Sequence, residues 1–344
     1  MNRRHQKLIC AISVALAAAT GGTTAAFAQS AAGASATQQR WTFDGNIRNN
    51  SLAVSPDEGT AVVSYSDRPE VLVYDLKSGK VRAALPGFVT PRNIVFEPSG
   101  KSFYVSDSSL GTVFRFDTAS LEKRGALPAG PGAFGTAMSK DGSTLYVNNQ
   151  AASTVSRFDL ESGQARAVIT GFAQPRQGVR LSPDGSVLYV TNFLGDKIIA
   201  VNTATNKIDG EITGFKKLRA ISVTPDGKTI FAANSGSNTI AVVDVEKRAI
   251  ASTIAVGKDP YGAALTPDAK QVYVGNLGDS TVSVIDVASK KVLATITGFN
   301  EPRQAIVFSA DAKTAYVLNK DLSIAKVDMV KHRVESTIGA AAGS

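Results

Sequence analysis

The sequence predicts an all-β fold, a seven-bladed β-propeller of four-stranded antiparallel blades, and three observations predict it. A turn motif recurs seven times at a nearly constant interval. Each interval holds four short runs of β-forming residues, and no convincing helical period appears after the first 28 residues. The turns are Ser55-Pro56-Asp57, Glu97-Pro98-Ser99-Gly100, Ser139-Lys140-Asp141-Gly142, Ser182-Pro183-Asp184-Gly185, Thr224-Pro225-Asp226-Gly227, Thr266-Pro267-Asp268 and Ser309-Ala310-Asp311. Their third residues fall at 57, 99, 141, 184, 226, 268 and 311, a step of 42 or 43 throughout.

Within each period the strands follow a set order. An apolar run such as Ile221-Ser222-Val223 precedes the turn, and one such as Val187-Leu188-Tyr189-Val190-Thr191-Asn192 follows it. A third run alternates, as in Thr281-Val282-Ser283-Val284-Ile285-Asp286, and a fourth resembles Val292-Leu293-Ala294-Thr295-Ile296. Alternation with β-branched residues, punctuated by Gly, Asn, Asp and Pro, is strand chemistry. Four strands in about 42 residues make one propeller blade, and a lone blade buries too little to stand by itself. One closed ring over residues 41–340 is therefore expected. Trp41-Thr42-Phe43 and Val334 to Ile338 both align with the outer-strand slot. One should complete the last blade and the other cover it, and the sequence leaves open which does which.

The chain has 344 residues, with Lys+Arg 37 against Asp+Glu 29. Met1 to Lys7 is a basic head, Leu8 to Ala19 an apolar run, and Ala26-Phe27-Ala28 supplies small residues at the −3 and −1 positions. Residues 1–28 thus read as a secretory signal cleaved after Ala28, and the product is expected in the periplasm. Gln6 and Lys7 do not fit the apolar positions of a twin-arginine signal, and the apolar run is short for a membrane span. Residues 29–40 read as a flexible leader and 341–344 as a tail. Removing Arg3, Arg4 and Lys7 with the signal takes the formal charge from +8 to +5. Cleavage also removes the sole cysteine, Cys10, and leaves His332 as the one histidine. Those counts exclude disulfide scaffolds, thiolate metal sites, covalent haem attachment and a Cys–His nucleophile. No cofactor is expected, and a monomer is.

Tyr189-Val190-Thr191-Asn192 is the motif of the YVTN family of β-propeller repeats. Tyr104-Val105-Ser106-Asp107, Tyr146-Val147-Asn148-Asn149, Phe231-Ala232-Ala233-Asn234, Tyr273-Val274-Gly275-Asn276 and Tyr316-Val317-Leu318-Asn319 vary it, and Val62-Val63-Ser64-Tyr65 diverges most. The sequence resembles that family over nearly its whole length after the signal. The resemblance implies a bacterial extracytoplasmic propeller and leaves the activity open, because this fold hosts binding modules, scaffolds and enzymes. WD-type repeats are excluded, since one tryptophan and two histidines cannot supply seven such signatures.

Propeller topology sorts the loops. The Pro-Asp-Gly turns lie on the lower face, and the loops entering each blade lie on the upper. In the entering position blades two, four, five and seven present Arg92, Arg176, Arg219 and Arg303, while blades one, three and six present Asn50, Phe134 and Tyr261. Three of the arginines end a longer echo, Gly87-Phe88-x-x-Pro91-Arg92, Gly171-Phe172-x-x-Pro175-Arg176 and Gly298-Phe299-x-x-Pro302-Arg303. Gly214-Phe215-Lys216-Lys217-Leu218-Arg219 lacks the proline. Proline fixes φ ahead of the strand, which aims the next side chain toward the axial mouth. Four guanidinium groups around one opening suit a carboxylate or a phosphate.

The competing structural reading makes each Arg a brace between blades and each Phe a wedge. The Asn column (Asn149, Asn192, Asn234, Asn276, Asn319, with Asp107 and Tyr65) reads as turn-shaping. So does the carboxylate column at the end of the third strand: Asp75, Asp117, Asp159, Asp244, Asp286 and Asp328, with Asn202. His332 falls in a lower outer turn, remote from the mouth. The first functional reading is a non-enzymatic binding or scaffold protein whose upper mouth holds an anionic partner: single-stranded nucleic acid, an acidic glycan or a protein loop. A DNA-binding role rests on the aromatic–basic rim. The alternatives are a lactonase-like hydrolase with arginine at a developing oxyanion, and an accessory protein for periplasmic redox enzymes.

Overall fold

Each repeat folds into one four-stranded antiparallel sheet whose strands pair in chain order, and a computed structural model describes residues 47–339 as seven such sheets. The blades span residues 50–85, 91–128, 133–169, 175–212, 218–255, 264–296 and 306–338. The sole helical element among the described residues is a single 3-10 turn, Ser235–Ser237. The signal, the leader and the tail lie outside the described residues.

Burial follows distance from the axis. The second strands are buried almost throughout, as in Thr60–Tyr65 and Ser102–Asp107, whereas fourth strands such as Lys80–Leu85 bury only their last residue. Seven apolar clusters hold the ring, and each lies between two neighbouring blades rather than inside one. A blade therefore depends on its neighbours for its core, which is why the repeat must close on itself.

Closure is reached by packing. Leu52, Ala61, Val63 and Tyr74 of blade one share a cluster with Ala305, Tyr316, Leu318 and Ile324 of blade seven. Across that seam the Tyr74 hydroxyl donates to the Leu322 carbonyl at 2.8 Å, and the Ala310 N–H donates to Glu58 Oε1 at 2.7 Å. Arg333–Ile338 pairs with Ile324–Asp328 and forms the outer strand of the last blade. The chain end thus completes blade seven, while Trp41 to Phe43 lies outside the described residues.

Two side-chain locks repeat on the lower face. In the first turn a Ser or Thr hydroxyl donates to the turn Asp, at 2.5 Å for Ser139 to Asp141 and for Ser182 to Asp184. In the second, the carboxylate ending the third strand accepts the N–H three residues on, as Asp75 does from Ser78 and Asp286 from Ser289, both at 2.7 Å. These bonds hold Asp141, Asp184, Asp159 and Asp328 at a pKa of about 2. The carboxylate column is a set of turn formers. His332 sits four residues after Asp328 with φ 48°, in the left-handed slot that Gly79 and Gly163 fill in other blades.

Candidate functional site: the upper mouth

The loop into each blade is built to deliver one side chain. Gly87, Gly171, Gly214 and Gly298 all have φ between 94° and 98°, a left-handed turn that glycine adopts without a Cβ clash. The phenylalanine that follows is a wedge. Phe88, Phe172 and Phe215 are buried in the clusters between blades, and Phe299 packs against another. Two residues ahead of Arg176, Arg219, Tyr261 and Arg303 stand Gln174, Lys217, Asp259 and Glu301, each with φ between 47° and 52°. Non-glycine residues in that region carry strain, and here the strain turns four successive mouth side chains the same way.

A second device comes from the neighbouring blade. The third residue of the Tyr-Val-x-Asn run reaches the backbone of the next mouth residue. Ser64 donates to the Arg92 carbonyl at 2.8 Å, Ser106 to the Phe134 carbonyl at 2.5 Å, and the Asn148 amide to the Arg176 carbonyl. Where blade six has Gly275, a Cβ would come within 2.0 Å of the Arg303 carbonyl. The Asn column acts within its own blade, as expected of turn-shaping residues. Asn192 and Asn319 accept the N–H of Ala173 and Asn300, at 2.5 and 2.9 Å.

Arg176, Arg219 and Arg303 line one opening and Arg92 is buried, and the four divide into two kinds. Arg92 is 0% exposed. Its Nε donates to Ser108 Oγ and its Nη1 to the Ile47 carbonyl, both at 2.9 Å, and its Cζ lies 4.5 Å from the Phe134 ring centre. Arg303 is 8% exposed, donates to the Arg48 carbonyl at 3.1 Å and lies 3.9 Å from Glu301 Oε2. The segment entering blade one thus occupies two of the guanidinium groups with its own carbonyls. For Arg92 the bracing role, not the exposed one, is what the geometry displays.

Arg176 and Arg219 differ. Both are half-buried, their Nε atoms are buried without a hydrogen-bond partner, and neither has an ion pair among the described residues. Aromatic rings hold them instead. Arg176 Cζ lies 3.3 Å and Arg219 Cζ 5.8 Å from the centre of Phe193, and Tyr261 is flanked by Arg219 at 4.6 Å and Arg303 at 5.2 Å. Stacking by the face leaves the in-plane N–H donors of a guanidinium available. Burial first, with the Arg219 and Arg92 charges adding to it against Tyr261, pulls the pKa of Arg176 down from the ordinary guanidinium range to about 10.

Arg176, Arg219 and Arg303 line a cavity of about 440 Å³ with Arg48, Tyr261, Leu277 and Asp259. Asp259 is the one carboxylate in that lining among the described residues, and it accepts a hydrogen bond from Ser235 Oγ. Phe134 and Asn50, expected at the rim, are both buried. Phe134 is 0% exposed beneath Arg92, and the Asn50 amide is buried with both its polar atoms unpartnered. Tyr261 is 6% exposed and is already engaged by two guanidinium groups. The sequence reading missed Phe193. It follows the Asn of the blade-four motif, where other blades place Ser66, Ser108, Gln150, Ser235, Leu277 and Lys320, so one aromatic in that column was a visible signal.

Two family models match parts of this ring. One described as Lactonase, 7-bladed beta-propeller matches residues 50–209, and one described as YNCE-like beta-propeller matches residues 229–338. The chain is similar to both kinds of propeller. The first match covers blades one to four and the second most of blades five to seven. Among solved structures, Kuenenia stuttgartiensis hydrazine synthase matches with a TM-score of 0.63 and 22% identity, over 70% of this chain and 77% of that one. A likeness at that identity concerns the fold alone. Comparison with curated proteins returned no match.

Proposed function

We propose that this chain is a periplasmic binding propeller, of the YVTN-repeat type, that holds an anionic partner at its upper mouth through Arg176, Arg219 and Arg303. The observation that carries the reading is the pair Arg176 and Arg219. Two half-buried guanidinium groups are fixed over Phe193 and Tyr261, and neither has an ion pair among the described residues. Unpaired cations at a rim are a cost in the free protein that an incoming anion removes. The rings are occupied by guanidinium, so recognition falls on the partner's phosphates or carboxylates and not on stacking of bases.

The test is fluorescence anisotropy with a labelled single-stranded oligothymidylate and with polygalacturonate, against the wild-type protein and the Arg176→Ala/Arg219→Ala variant. Wild-type binding to at least one polyanion should weaken steeply as salt rises. The double variant should lose at least about a hundredfold in affinity, since each charge-assisted contact is worth about 1.5–3 kcal/mol and two are removed. Unchanged affinity in a folded double variant, or no polyanion binding by the wild type, overturns the reading.

The Lactonase match over residues 50–209, which includes Arg176 but neither Arg219 nor Asp259, favours a second reading; in it Arg176 and Arg219 stabilise an oxyanion, and Asp259, which lines the same cavity, serves as the carboxylate. A pH-stat assay on a panel of sugar lactones decides it. Turnover abolished by Asp259→Asn would establish hydrolysis, and no turnover by the wild type would remove it.

A further inference from the structure

The axial channel holds a charged group that the mouth does not use. Four residues ahead of each turn marker the inner strands place Ala53, Val95, Ala137, Arg180, Ser222, Ala264 and Val307. Six of these are small or apolar, and one is a cation. Arg180 lines both a channel cavity of about 570 Å³ and a second of about 400 Å³. Its one hydrogen bond is from Nη1 to the carbonyl of the adjoining Val179, at 2.8 Å, and it has no ion pair among the described residues. Water reaches the side chain, yet protein surrounds it closely enough that burial lowers its pKa. Both hold because the group stands in a hollow axis.

Ser222, on the next blade at the same level, lines the second cavity with Arg180, and its buried hydroxyl has no partner. The remaining walls are apolar, including Ala264, Leu265, Val307 and Phe308. Two carboxylates, Glu97 and Glu58, line the larger cavity but not the second, and both are already engaged. Glu97 is paired with Arg115 at 2.9 Å and accepts from Tyr104, while Glu58 accepts the Ala310 N–H. Pro56, Pro98 and Ser139 of the lower turns line the larger cavity, so the channel is entered from below.

We infer that the lower channel is a binding site for a small monocarboxylate with an apolar body, its carboxylate held by Arg180 and Ser222 and its body against Ala264, Leu265, Val307 and Phe308. One positive charge in a cavity whose other walls are apolar balances one negative charge. A dianion such as phosphate would bring a second charge with nothing to compensate its desolvation. This site is separate from the upper mouth, and its ligand class is independent of the polyanion reading.

Isothermal titration of the mature protein with acetate, hexanoate and benzoate, and with benzyl alcohol and inorganic phosphate as controls, tests the assignment. Hexanoate or benzoate should bind, more tightly than acetate, while benzyl alcohol and phosphate should not. Arg180→Met and Ser222→Ala should each weaken the bound carboxylate at least tenfold, in the range of a lost charge-assisted hydrogen bond. Arg180→Lys should retain part of the affinity, which keeps the test usable if Arg180→Met fails to fold. The Arg176→Ala/Arg219→Ala variant should bind the carboxylate like wild type, which separates this site from the mouth. No binding of any carboxylate, equal affinity for benzyl alcohol, or undiminished affinity in folded Arg180→Met overturns the inference.

Discussion

Replacing Arg176 by methionine should make the free protein more stable while making it a worse binder. The side chain's pKa falls from the ordinary guanidinium range to about 10, with burial as the leading cause. A lowered cation pKa means that folding disfavours the charged form, by about 3 kcal/mol at 1.36 kcal/mol per unit. Because the unfolded chain holds the proton more tightly, the whole penalty is present below pH 10 and is relieved only as pH rises further toward the ordinary guanidinium range. Methionine removes the charge and keeps an apolar stem against Phe193, but it forfeits a cation–π contact worth about 1 kcal/mol. With partial solvent exposure discounting the penalty further, the net gain is about 1–2 kcal/mol, or roughly 2–6 °C in Tm. Thermal and urea denaturation in low salt, with and without the polyanion that binds the wild type, measure it. A polyanion should raise the wild-type Tm and leave Arg176→Met nearly unmoved. A variant that melts lower and still binds as tightly would show Arg176 to be a brace, and the reasoning from unneutralised charge would fail.

The other mouth and turn residues yield sharper contrasts. Arg92→Ala should destabilise by about 3–5 kcal/mol, because it removes a buried cation and strands its hydrogen-bond partners, and chemical denaturation will read this. Gly275→Ala should displace the Arg303 backbone, which lies 2.0 Å from the added Cβ position, and should lower both Tm and polyanion affinity. Retention of both would refute the close approach. Acid should unfold the ring through its turns: a depressed carboxylate contributes stability above its unfolded value and loses it as pH falls through the folded one. Circular dichroism should therefore show loss of stability from about pH 4 down to about pH 2, with Asp141→Asn less sensitive to acid. Lys290→Gly, at an exposed left-handed turn position with φ 57°, should stabilise by about 1 kcal/mol in urea denaturation.

Much of the site was legible in the chain, and the reason is periodicity. The entering loops of seven near-equivalent units arrive on one face, so Arg176, Arg219 and Arg303, which line one cavity, and the buried Arg92 could be placed in equivalent loops from their offsets alone. Their separate fates could not be assigned. Arg92 and Arg303 are engaged by the carbonyls of Ile47 and Arg48, a contact that links residues up to 255 apart in the chain. Phe193 belonged to a different column of the repeat and was passed over. Arg180 was hidden for another reason: within its strand an arginine next to Val179 looks like any outward residue.

The sequence by itself determined the blade count, the strand order, the turn locks and which loops share the upper face. Each follows from local spacing and from the small set of backbone conformations that Pro, Gly, Asp and Asn impose. Only the tertiary structure decided which guanidinium groups stay free, which rings lie under them, and that one arginine stands alone in the axis. Those depend on where the blades meet and how closely they pack, and a side chain's partners across a ring cannot be read from the order of residues along it.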